Sequence, residues 1–323
     1  MNAVLDVDAA VELWLGSDIP PEVLSVPLPD AIVAEVIERL KQEADRHWSI
    51  NPNRSLELAD RIVVIGRARD DARQTALGLM ARGDALKFLG HMQEAWEMLE
   101  QAGNTFQDAD DEVGWARTRI GRLYLGPKLN QIPVVLAEAE YARAIFIRYG
   151  EQEKLLRLDF QTAYVHNFLG NQSESLRLYG SALATAEALG KAGQQYLGPL
   201  YTNIGFAYEA LGDFPKALTY YENARAIHTI RNETRNIAVI EINIAYIAHA
   251  QGHYRRALRL LHGVLGQVAD QLPLEATIAR RDMIECYLCL NRHREGRDLA
   301  RQVIADYRAF NAAYETARTL LHL

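Results

Sequence analysis

The sequence is short of cysteine, of positive charge and of long apolar runs, and each shortage closes off a class of function. Its two cysteines, Cys286 and Cys289, cannot build the disulfide framework of a small secreted domain. No apolar run approaches the roughly 20 residues that span a bilayer. The opening MNAVLDVDAAVELWLG has acids where a secretory leader needs a basic start. The expected compartment is therefore the cytoplasm, with no membrane partner. A net charge of −7 leaves no general positive face for displacing counterions, so nucleic acid is not an expected partner. The deficit is uneven. From His253 onward eleven Lys and Arg outnumber eight Asp and Glu, so this end, around Arg255, Arg256, Arg280 and Arg281, offers a secondary basic surface to an acidic partner.

Catalytic signatures are equally scarce. No Gly-x-x-x-x-Gly-Lys-Ser/Thr loop, dinucleotide glycine fingerprint or Gly-x-Ser-x-Gly elbow occurs. Cys286-x-x-Cys289 lacks the second pair that would complete a zinc site, and its register turns Cys286 toward helix packing. His249 and His253 have the i,i+4 spacing of helical metal ligands, but Gly252 ends the helix between them and no acid supplies a third ligand. No catalytic residue, metal or cofactor is expected, and the chain reads as non-enzymatic.

What the sequence does contain is a repeated arrangement of small and aromatic residues, clearest in YTNIGFAYEALGDFPKALTYYENA at 201–224. Tyr201, Ile204, Gly205 and Tyr208 share one helical face, and Phe214, Ala217, Tyr221 and Ala224 share another. Gly212 suits a left-handed helix stop and Asp213 a following N-cap, which predicts two antiparallel helices joined by a very short turn. Gly205 and Ala217 let the helices approach while the aromatics fill the wider gaps. Similar turns fall at Gly90, Gly170, Gly252 and Asn291, and the gaps from Gly170 are 42, 40 and 39 residues. A further pair lies between Gly90 and Gly170, joined by LGPKLNQIP, and another surrounds Asn51-Pro52.

This pattern resembles the tetratricopeptide repeat family in its longer form of about 40 residues. The resemblance is strongest at 198–228, where Thr229 stands in place of the final proline, and looser at 30–70 and 110–150. It implies an all-α, right-handed superhelical solenoid. One helix pair cannot cover its own apolar stripe, so pairs must stack. The expected organisation is an N-terminal arm at 1–29 with a short helix and a Pro-rich linker, about seven helix pairs over 30–311, and the start of a further helix at 312–323. The short first helix is either a cap or a loosely docked arm.

Two rows of the first helices are not consumed by packing. One reads Gln161, Asn203, Asn243, Asp282; the other, three residues later on the same face, reads Tyr164, Phe206, Tyr246, Glu285. In the similar repeats of kinesin light chains an asparagine in the first row holds the backbone of an extended peptide. Asn203 and Asn243 match that position, whereas Gln161 and Asp282 depart from it. An amide both donates and accepts, so such a row grips a backbone without reading its sequence, and the aromatics beside it add contact area. The expected function is a protein-interaction scaffold binding a peptide or protein segment in this groove. The alternative, from resemblance to the repeat regions of CHAT-type proteases and MalT-like activators, is a sensor region whose effector domain follows in the same polypeptide.

Overall fold

The computed structural model describes residues 14–16, 29–48, 50–269, 271–310 and 313–320, and among them the chain is all-α, with no strand. The helices are α1 (Asp30–His47), α2 (Pro52–Ala68), α3 (Ala72–Leu89), α4 (Met92–Asp108), α5 (Glu112–Leu125), α6 (Ile132–Tyr149), α7 (Gln152–Phe168) and α8 (Gln172–Ala188). They continue as α9 (Gln194–Ala210), α10 (Phe214–Ile230), α11 (Thr234–Ala250), α12 (Tyr254–Val268), α13 (Pro273–Cys289), α14 (His293–Ala309) and α15 (Ala313–Leu320). Two compact units, residues 1–185 and 186–323, divide the chain inside α8. No described helix is long and apolar enough to cross a membrane.

The turns explain why helices of this length stop where they do. Gly212 has φ of +74°, a region that costs an L side chain and not glycine. There its N–H reaches the Glu209 carbonyl at 2.9 Å and the Asp213 N–H reaches that of Tyr208 at 2.9 Å, so two carbonyls orphaned at the end of α9 are satisfied. The Asp213 side chain then accepts from the Lys216 N–H and opens α10. The same closure recurs after α11, where His253 N–H bonds Ala248 O, and after α13, where Arg292 N–H bonds Tyr287 O, each at 2.8 Å. Asn51 caps α2 through the Arg54 N–H, with Pro52 in the first turn.

In the second unit, Ala217, Tyr221 and Ala224 of α10 pack with Ile240, Ile244 and Ile247 of α11, and Tyr201 and Tyr208 of α9 flank them. The next cluster joins α11, α12 and α13 through Ala245, Leu261, Val264 and Met283, and a third joins α13 to α14 through Ile284, Val303 and Tyr307. Each apolar cluster thus links sequence neighbours, as expected where stability is a sum of nearest-neighbour terms. The first unit follows the same rule. Val36, Leu40, Leu58 and Ile62 form its first cluster, which also holds Trp14 at 2% exposure. Arg61 and Arg54 donate to the Trp14 and Leu15 carbonyls, so this piece of the 1–29 segment is docked on α2. The Pro-rich stretch 17–28 lies outside the described residues.

A methyl group added at Gly205 would lie 2.7 Å from two carbons of the Tyr221 ring and 3.3 Å from the Ala217 carbonyl oxygen. The α9–α10 contact therefore has no spare volume. Ala217, fully buried, is expected to reject a larger side chain: Ala217→Leu should lower stability by about 1–3 kcal/mol, seen as an earlier transition in thermal melts. A melt matching the parent would mean that Ala217 does not sit at the close contact.

Candidate functional site

In the second unit the first helices of successive pairs, α9, α11 and α13, lie side by side, so residues at equivalent positions share a face. Phe206 on α9 and Tyr246 on α11 are 44% and 46% exposed, a large solvent-facing share for aromatic rings flanked by fully buried neighbours such as Ala207 and Ala245. Three residues before each stands an asparagine, and both asparagines are already engaged. Asn203 donates its amide to the Pro199 carbonyl at 2.8 Å. Asn243 hydrogen-bonds the Tyr221 hydroxyl, which itself donates to Glu209 at 2.7 Å. Amide, phenol and carboxylate so form a chain across α11, α10 and α9.

Burial is the largest influence on Glu209. It pushes the carboxyl from an ordinary 4.5 up to about 7, with the nearby Asp282 charge acting in the same direction and the Tyr221 hydrogen bond opposing both. Asp282 and Glu285 on α13 extend the face. With Tyr246, His249 and Cys286 they line a cleft of about 10 Å³, room for one water at most. The cleft is too small to hold a small molecule. Asp282 pairs with Arg281 at 2.7 Å.

The remaining two row residues, Gln161 and Tyr164, belong to α7 in the first unit. Tyr164 stacks with Tyr124 of α5 at 6.5 Å between centroids. Around that pair stands a cation–aromatic cluster that the row reading missed. Lys87 lies 5.8 Å from the centres of both the Trp48 and Tyr124 rings, Lys128 lies 4.4 Å from Tyr124, and Arg157 lies 5.9 Å from Trp48. Lys87 also pairs with Asp84 at 2.7 Å. Burial works against ionisation of Asp84, but Lys87 and Lys41 outweigh it and hold its carboxyl below the usual range. The available signal was positional: Trp48, Lys87 and Tyr124 all sit at or just past the C-terminal ends of first helices.

The four arginines of the expected basic surface divide. Arg280 pairs with Asp306 at 3.3 Å and Arg281 with Asp282, whereas Arg255 and Arg256 on α12 are exposed and have no ion pair among the described residues. The cysteines divide too. Cys286 is fully buried, and burial pushes its thiol up to about 12, as suits packing and not reactivity. Cys289 is exposed, its Sγ 3.8 Å from His249 Nε2. Among the described residues no group of three His, Cys, Asp or Glu is placed to hold a metal.

Residues 196–261 match the model of the tetratricopeptide repeat family. No curated protein matches the chain in sequence. Among solved structures, a Rap protein complexed with Competence and Sporulation Factor is similar over 90% of this chain and 98% of its own, with TM-score 0.59 and 15% identity. NprR in complex with its cognate peptide NprX is similar over 89% and 83%, with TM-score 0.61 and 14% identity. Aspartyl phosphate phosphatase F from Bacillus subtilis is similar over 99% and 94%, with TM-score 0.56 and 16% identity. At these identities the likeness establishes the fold, a stack of tetratricopeptide-like helix pairs.

The Glu209 carboxyl carries a stability signature. Because its folded pKa lies above its unfolded value, the folded state holds the proton more tightly. The stabilisation is complete below about pH 4.5 and is lost as pH rises to about 7. The parent should lose up to about 3 kcal/mol across that window from this group. Glu209→Gln, which keeps an acceptor for Tyr221, should remove the loss. Melting temperatures measured from pH 4 to 8, in about one-unit steps, should then fall less steeply for the variant; parallel curves would show that Glu209 titrates normally.

Proposed function

We propose that this tetratricopeptide-repeat chain is a non-enzymatic scaffold that holds a peptide or a protein segment on the face of its first helices. The observation that carries the reading is the exposure of Phe206 and Tyr246 on adjacent helices of one unit. Neither ring is used up by the core, and exposed aromatics beside polar groups are the usual anchors of an interface. Asn203 and Asn243 contribute less than a free asparagine row would. Each spends hydrogen-bonding capacity inside the fold, so backbone capture falls to what remains, with the rings supplying most of the affinity. Two proteins of similar fold support the reading, since one is solved with a factor bound and the other with its cognate peptide.

A peptide ligand selected by display on the immobilised chain provides the test. Phe206→Ala and Tyr246→Ala should each weaken it by about 1–3 kcal/mol in calorimetry, with helical content unchanged because both rings face solvent. Asn203→Ala and Asn243→Ala should cost about 1 kcal/mol or less each. Unchanged affinity in both ring variants would end the first-helix-face reading. The non-enzymatic part is checked separately, because one similar structure bears a phosphatase name: release of phosphate from acetyl phosphate above the buffer rate would overturn it.

A further inference from the structure

A second surface lies on α12, the second helix of its pair. The helix YRRALRLLHGVLGQV contains no Asp or Glu. Several arginines on other second helices are answered locally: Glu174 pairs with Arg177 on α8, Glu222 with Arg225 on α10 and Asp298 with Arg301 on α14, although Arg294, Arg297 and Arg308 on α14 have no ion pair among the described residues. On α12 no such answer exists. Arg255, Arg256 and Arg259 are exposed and none has an ion pair among the described residues. They line an open pocket of about 490 Å³ together with His253, Tyr254 and Leu290. Three unneutralised guanidinium groups around an aromatic and an aliphatic side chain fit an anionic segment that also carries an apolar residue.

We propose that this pocket docks a carboxylate-rich protein segment, with the arginines pairing to Asp or Glu side chains and one apolar side chain resting on Tyr254 and Leu290. The partner is acidic protein and not nucleic acid, because the pocket's three arginines lie within about one turn and a half of a single helix, on a chain whose net charge is −7. The three arginines lie on α12, away from Phe206 on α9, so separate variants test the two docking events, although Tyr254 touches His249 at the edge of the first-helix face.

The probe is a fluorescein-labelled glutamate-rich peptide carrying a single leucine, followed by anisotropy at low and at physiological salt. The triple variant Arg255→Glu, Arg256→Glu, Arg259→Glu should bind it at least about 30-fold more weakly at low salt and lose most of the salt dependence. A control triple, Arg67→Glu, Lys191→Glu, Arg308→Glu, changes net charge equally at other exposed positions and should stay within about 3-fold of the parent. Phe206→Ala should leave this binding unchanged. The proposal is overturned if the control triple weakens binding as much as the α12 triple, or if the α12 triple binds like the parent. A labelled oligonucleotide binding more tightly than the peptide would overturn it in favour of nucleic acid.

Discussion

A single backbone conformation, the left-handed residue that closes a helix, governs the rest of the architecture. From α2 to α12 every helix-to-helix step contains one: Asp70, Gly90, Asp110, Asn130, Gly150, Gly170, Gly190, Gly212, Asn232 and Gly252 all have positive φ. Their spacing is 20 residues throughout, except for 22 between Gly190 and Gly212. That regularity fixes helix length, and helix length sets which residues of one pair meet the next. The tight α9–α10 contact, the shared face of α9, α11 and α13, and the placement of α12 all depend on turns that reverse the chain in three or four residues.

This also explains how far the architecture was legible from residue identity. Gly90, Gly170, Gly212 and Gly252 stand out because glycine is the default left-handed residue, and Asn291 because asparagine follows it. Asp70, Asp110 and Asn232 adopt the same conformation, but their residue types are common N-caps and surface residues too, so nothing in the letters alone separates the roles. The fold class followed from the legible turns and from the small–aromatic spacing. The looser match at 110–150 coincides with a turn whose left-handed residue, Asn130, stands at the end of the longer LGPKLNQIP connection.

The candidate face was legible by register and opaque in its hydrogen bonding. Counting back from the turns brought Asn203, Phe206, Asn243, Tyr246, Asp282 and Glu285 onto neighbouring helices of one unit, because the period is regular there. Counting could not reveal that Asn243 is tied to Tyr221 and Tyr221 to Glu209, since that chain depends on side-chain reach across three helices. The cation–aromatic cluster of the first unit was missed for a related reason. Its members sit near helix ends, outside the rows, and meet only because consecutive first helices stack.

A backbone that reverses every 20 residues through locally closed turns has a consequence for how such a gene can change length. Duplication or loss of a 40-residue block would join one turn to an equivalent turn, preserving register and helix caps on both sides of the splice. The contacts to be renegotiated are those of a single nearest-neighbour seam. Selection could therefore lengthen or shorten the array in whole steps while altering surface chemistry independently on each helix, as the acid-free α12 beside α13, which carries both acids and arginines, illustrates.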